Sequence, residues 1–172
     1  MSISTGVRKA FQASQGNDFR EAFRLLKTHG GGIRLVAPSS LSLGNGTSSD
    51  SLADITTMLD GNEYNLSEAA GAPGQRLTLT FTGVSEIYGL LLRAYYSGSG
   101  THYCEVQLFN YTTSAWDTYL TVENSNGHNV RYIRIPSDAD YISNGQAQLR
   151  WEHPVTGNAS HDAFIDFIGL EG

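Results

Sequence analysis

One signature occurs twice in this chain, and it constrains the fold more than any other feature. Segment 91–108 reads LLRAYYSGSGTHYCEVQL, and segment 148–167 reads QLRWEHPVTGNASHDAFIDF. Each passes from an apolar-Arg pair (Leu92-Arg93, Leu149-Arg150) through one or two aromatic residues into a turn of small residues. Each resumes at Thr101-His102 or Ser160-His161 and continues as a second strand pattern. Two strand–turn–strand units of one design predict two hairpins in a β-sandwich with pseudo-symmetric halves.

The neighbouring residues carry the same period. Leu77, Leu79 and Phe81 alternate with Thr78, Thr80 and Thr82, which puts one face in a core and the other in water. Segment 87–96 is nearly all apolar apart from Arg93, as a central strand covered on both faces would be. Cys104, Val106 and Leu108 alternate with Glu105 and Gln107, and further strands are expected at 116–122, 130–135, 147–152 and 164–170. No crossover helices separate them, so a parallel α/β sheet is excluded. The expected class is all-β, an antiparallel β-sandwich or jelly roll of about 8–9 strands, with an N-terminal helix plus extended arm. No pair of cysteines brackets a Trp, which argues against an immunoglobulin fold.

Composition narrows the partners. Eleven Lys and Arg against 17 Asp and Glu give a formal charge of -6, so there is no basic field to track a phosphate backbone and no nucleic-acid partner is expected. No stretch is long and apolar enough to span a bilayer, so no membrane partner is expected either. The single cysteine, Cys104, has no intramolecular disulfide partner and falls on the apolar side of its strand, where a buried thiol is expected. The first residues lack the apolar run of a signal peptide, which points to synthesis in the cytoplasm without export.

Residues 1–50 read as a separate N-terminal arm for attachment and oligomerisation, and 51–172 as the jelly-roll domain. Asn17 or Asp18 can cap a short helix, on which Phe19, Ala22, Phe23 and Leu26 share one face. So short a helix needs a surface to dock on, either its own domain or a neighbouring subunit. Ile33 and Leu35 extend the apolar stripe of Phe19, Phe23 and Leu26, and these five residues are the candidate partner-docking set. A Ser/Gly/Asn-rich stretch follows. The domain then opens with an expected edge strand at 52–58 and a turn at Asp60-Gly61-Asn62.

The search for chemistry is mostly negative. No nucleophile elbow, phosphate loop or dinucleotide fingerprint occurs, and no enzyme activity or cofactor is expected. His102, His153 and His161 lie at strand ends, and three imidazoles brought to one rim would suit a transition metal. The reading preferred on sequence is that a Ser/Thr-His pair fixes the register of its turn. Asp54 and Asp166, near the two ends of the domain, are the carboxylates a structural Ca²⁺ would use, although no metal is expected. Among the many aromatic residues, Tyr111 and Trp116 lie near a loop and are the candidates for stacking on sugar rings.

Several of these segments resemble jelly-roll domains of tailed-bacteriophage structural proteins. The resemblance rests on Tyr95-Tyr96, the VQLFNYTT-x-x-WD run from Val106 to Asp117, the Asp140-Tyr141-Ile142 loop, and the Gly157-Asn158-x-Ser160-His161 turn before Phe-Ile-Asp-Phe-Ile. That family is similar in fold to galactose-binding-like carbohydrate-binding modules. The resemblance covers about two-thirds of the chain, from near Leu52 to the end, and implies a non-enzymatic virion component: a capsid decoration, a neck or collar protein, or part of a tail appendage. Its implied partners are capsid, portal or tail subunits and further copies of itself, in a virion assembled in the host cytoplasm. The alternative is a carbohydrate-binding module that attaches weakly to host-surface glycans.

Overall fold

Alternating burial builds two sheets that face each other across one apolar core. The computed structural model describes residues 34–136 and 139–172. It contains ten strands: β1 (Leu35–Val36), β2 (Ser40–Asn45), β3 (Tyr64–Ser67), β4 (Gln75–Thr82), β5 (Gly89–Ser97), β6 (Tyr103–Asn110), β7 (Ala115–Glu123), β8 (Asn129–Arg134), β9 (Gln146–His153) and β10 (Asp162–Glu171). One sheet runs β1-β10-β5-β8, with β3 also paired to β10; the other runs β2-β4-β9-β6-β7. All of their pairings are antiparallel. The all-β jelly-roll expectation holds, with ten strands among the described residues where eight or nine were counted on sequence.

The inner faces are those the alternation marks. Leu77, Leu79 and Phe81 of β4, Cys104, Val106 and Leu108 of β6, and Leu149 and Trp151 of β9 are all fully buried. They meet Leu90, Leu92, Ala94 and Tyr96 of β5 and Ala163, Ile165, Ile168 and Leu170 of β10. Each fully buried Leu, Val or Phe side chain contributes about 1.5–3 kcal/mol relative to its exposed state. The Cys104 thiol is enclosed as expected, and its pKa is raised, first by burial and then by the charge of Glu68.

The repeated signature does not form hairpins. β5 belongs to one sheet and β6 to the other, and the same is true of β10 and β9. Each copy is an arch that crosses the sandwich. The two arches lie side by side, because β5 pairs with β10 and β6 with β9. The pseudo-symmetry is therefore present, but it relates two crossings. The choice is set by the long-range pairings, β5 with β10 in one sheet and β6 with β9 in the other, which place the two strands of each copy in different sheets.

Two further expectations change. Segment 52–58 is not an edge strand; Leu52–Ile55 is a 3-10 helix whose Asp54 carboxylate accepts hydrogen bonds from the Ser51 amide and hydroxyl. That local capping satisfies the free amide, an alternative to pairing with a neighbouring strand. The described part of the expected arm, 34–50, is built into the sandwich. β1 pairs with β10 and β2 with β4, so the sheets begin before the boundary drawn at residue 50. Leu35, half-buried, stands opposite Glu171 in that pairing. Phe19, Phe23, Leu26 and Ile33, with the expected helix, lie outside the described residues. Among the described residues no helix is long and apolar enough to cross a membrane.

Candidate functional site

The outer face of the β2-β4-β9-β6-β7 sheet carries a row of aromatic and charged side chains. It follows from the strand period. Glu105, Gln107 and Phe109 alternate with the buried residues of β6 and so point outward, and the register sets Phe109 opposite Trp116 and Gln107 opposite Thr118. On the other side, Gln107 stands opposite Arg150 and Glu105 opposite Glu152. A bulge between Val106 and Gln107 adds one residue to β7 and keeps Trp116 and Thr121 on the same outer face.

These side chains hold one another. The Arg150 guanidinium lies over the Trp116 ring, 4.4 Å from its centroid. Its Nε is 2.7 Å from Gln107 Oε1 and 2.9 Å from Glu152 Oε2. Gln107 in turn donates to Glu105 Oε2 at 2.7 Å. The Phe109 ring meets Trp116 at 5.1 Å and Tyr111 at 5.0 Å, both edge to face. Burial lowers the proton affinity of Arg150, opposed by the Glu152 charge. Burial also raises the Tyr111 phenol, which therefore stays protonated and able to donate.

Such a face suits an uncharged polyhydroxylated ring. Its half-exposed aromatic rings offer C–H stacking, while fixed amide, guanidinium and carboxylate groups offer directional hydrogen bonds. Arg150 covers one face of Trp116, so stacking there would use the other. Tyr111 and Trp116, singled out on sequence, are thus brought together. Phe109, Gln107, Glu105 and Arg150 were missed as members of the same face. The available signal was Phe109, an aromatic residue at a polar position of the alternating VQLFN run.

The other surfaces compare less well. A cleft of about 180 Å³ between β5, β7 and β8 is lined by residues that include Asn124, Asn129 and Arg131, but by no aromatic ring. On the opposite sheet, Tyr95 and Phe164 stack on each other at 4.5 Å and 8°, which covers one face of each, and the His128 ring meets Tyr95 edge to face at 4.8 Å. Asp54 is committed to the Ser51 cap. Asp166 is buried, 3.1 Å from the Arg93 guanidinium, with its carboxylate accepting from the Leu59 amide. A cation beside Asp166 would compete with that guanidinium.

The histidines gather at the arch end of the core. His102 and His161 meet edge to face at 4.9 Å, and His102 stacks on His153 at 4.8 Å. Glu68, in the connection after β3, completes the group with its side chain fully enclosed. Tyr96 donates to Glu68 Oε1, and the Asn158 amide donates to Oε2 at 2.6 Å. Burial, followed by the Glu68 hydrogen bond, pushes the Tyr96 phenol far up. Glu68 gave no signal in sequence, since it joins the histidines only through the tertiary fold.

No family model matches the sequence, and no curated relative matches it. Solved structures do match in fold. A mutant family 29 carbohydrate-binding module is 11% identical over 80% of this chain and 89% of its own, with a TM-score of 0.56. Another mutant of that family, in complex with cellulohexaose, is 11% identical over 80% of this chain and 87% of its own, at a TM-score of 0.55. A chitosan-binding module from a chitosanase/glucanase of Paenibacillus sp. IK-5 is 11% identical over 80% of this chain and 96% of its own, at a TM-score of 0.53. The likeness is one of fold.

Proposed function

We propose that this protein is a non-catalytic carbohydrate-binding module that takes glycan chains on the outer face of the β2-β4-β9-β6-β7 sheet. The observation that carries the proposal is the Trp116–Arg150 stack, with Phe109 and Tyr111 beside it and Gln107, Glu105 and Glu152 around it. The shared fold with carbohydrate-binding modules supports it. In this reading the rings supply apolar contact to pyranose faces. Arg150, already desolvated and held by the Gln107 and Glu152 oxygens against the Trp116 ring, orients the hydroxyls. A row of side chains laid across neighbouring strands suits a run of sugar units.

The reading as a virion component rests on the N-terminal arm and the sequence resemblance. The fold comparisons support the glycan reading more directly, and a glycan-binding module displayed on a larger particle satisfies both.

The test is a glycan array followed by calorimetry on the best oligosaccharide. Trp116→Ala is expected to weaken binding at least tenfold, about 1.4 kcal/mol, with the unfolding midpoint nearly unchanged. Binding unaltered in Trp116→Ala, or no binding to any glycan on the array, would sink the proposal.

A further inference from the structure

The hydrogen bonds of the buried histidine cluster leave two imidazole nitrogens unmatched. Tyr96 gives its one proton to Glu68 Oε1, so its oxygen can only accept at His161 Nδ1, 3.2 Å away. That nitrogen therefore carries the ring proton. It also lies 3.4 Å from Glu68 Oε2, so His161 holds the carboxylate in place. His153 is anchored differently. Its Nδ1 is 2.7 Å from the Tyr103 carbonyl, which only accepts, so the proton sits at Nδ1. Its Nε2 is buried without a hydrogen-bond partner and stands 3.6 Å from Glu68 Oε1. In the neutral ring, that leaves a bare lone pair facing a carboxylate oxygen in an enclosed site, an unfavourable pairing that a cation between them reverses. His102 supplies a second buried nitrogen without a partner, Nδ1, from the ring stacked on His153.

Donor atoms of Glu68, His102 and His153 all lie within 4.8 Å of one another. A tetrahedral Zn²⁺ with bonds of about 2.0–2.1 Å holds its donors roughly 3.3–3.4 Å apart. The His153–Glu68 spacing is already near that value. His102, which ends the first arch and is only partly enclosed, needs a small swing to reach it. An imidazole whose far N–H is tied to a backbone carbonyl is the arrangement that orients a metal ligand.

We propose that Glu68, His102 and His153 form a binding site for a divalent late first-row transition ion of the Zn²⁺ class. Two imidazoles and one carboxylate favour such an ion over Ca²⁺ or Mg²⁺, which take oxygen ligands. The three ligands come from the connection after β3, the end of the first arch and the end of β9, remote in sequence and adjacent at one end of the core. The ion therefore acts as a clamp on that end. His161 and the Asn158 amide are positioning groups for Glu68. The site is separate from the sugar face: Arg150 and Glu152 point out of the sheet, and His153 points in.

The experiment uses the untagged full chain, stripped with chelator and titrated with Zn²⁺ and with Co²⁺. One ion per chain should bind. Free Zn²⁺ at 100 times Kd should raise Tm by about 5–10 °C. Co²⁺ should give the visible d–d absorption of a low-coordinate, imidazole-bound ion. His102→Ala, at a partly exposed position, should fold with the Tm of the stripped parent, bind at least tenfold more weakly and lose the Co²⁺ spectrum. His128→Gln, in the separate pair with Glu63, should keep both. An unchanged Tm and no Co²⁺ absorption in the parent would overturn the site. Parent-like binding by His102→Ala would overturn it as well.

Discussion

Replacing Trp151 with Ala is expected to lower the unfolding free energy by about 3–5 kcal/mol. The ring is fully buried on β9, opposite Leu77 of β4 and Val106 of β6, and is among the largest enclosed side chains in the core. Truncation removes its contacts with both neighbouring strands and leaves a cavity that a close-packed sandwich refills only in part. It also removes the donor that meets Gln75 Oε1 at 3.2 Å and leaves that oxygen only the weaker Cys104 thiol contact at 3.6 Å, a further cost of about 1 kcal/mol or less. Urea denaturation of the full chain reads this as a lower midpoint at an unchanged slope. Trp151→Phe should recover most of the loss. A cost below about 1 kcal/mol would contradict the packing described. The chain's other tryptophan makes the contrast. Trp116 lies on the outer face, so Trp116→Ala should change stability by about 1 kcal/mol or less, chiefly from the lost Arg150 contact.

The second large effect is expected at Gly157→Ala, at a cost of about 1–3 kcal/mol or more. A Cβ there would lie 2.3 Å from the Ala69 carbonyl oxygen and 2.6 Å from the Gly74 Cα. Both are backbone atoms, which cannot turn aside as a side chain can. The amide of Gly157 donates to the Gly71 carbonyl at 2.8 Å, and Gly74 donates to the carbonyls of His153 and Val155. This seam fixes the β3–β4 connection beneath the second arch. The added methyl would also crowd the Glu68 Cβ at 3.1 Å, so the carboxylate should shift away from His153 and His161. Thermal unfolding measures the cost. Gly100→Ala, where the new Cβ meets nothing within 4 Å, is the control and should stay within about 0.5 kcal/mol of the parent. Equal stabilities for the two variants would remove the case for a tight backbone seam.

Two residues of the candidate sugar face were legible because their placement depends on one strand and its turn. Trp116 follows a polar turn, and Tyr111 sits within that turn, so both were placed near the surface. Arg150 stood out in the sequence only as part of the repeated signature, and in the fold it bonds Gln107 and Glu152. Its position over Trp116 required β9, β6 and β7 to lie in that order, which no local pattern records. The segment 52–58 misled for a different reason. Its apolar spacing fits a strand, but the Ser51–Asp54 cap turns it into a 3-10 helix over a few residues.

The division between the two kinds of information is physical. The alternation of β4, β6 and β9 is set by the pleat of a single strand, so the sequence by itself determined the all-β class, the inward rows and the enclosure of Cys104. The same small-residue turn can close a hairpin or cross between sheets. Which one forms depends on pairing partners far along the chain, here β5 with β10 and β6 with β9. Only the tertiary structure decided that both copies of the repeated signature are arches. That decision carried His102, His153 and His161 to one end of the core and set Glu68 among them.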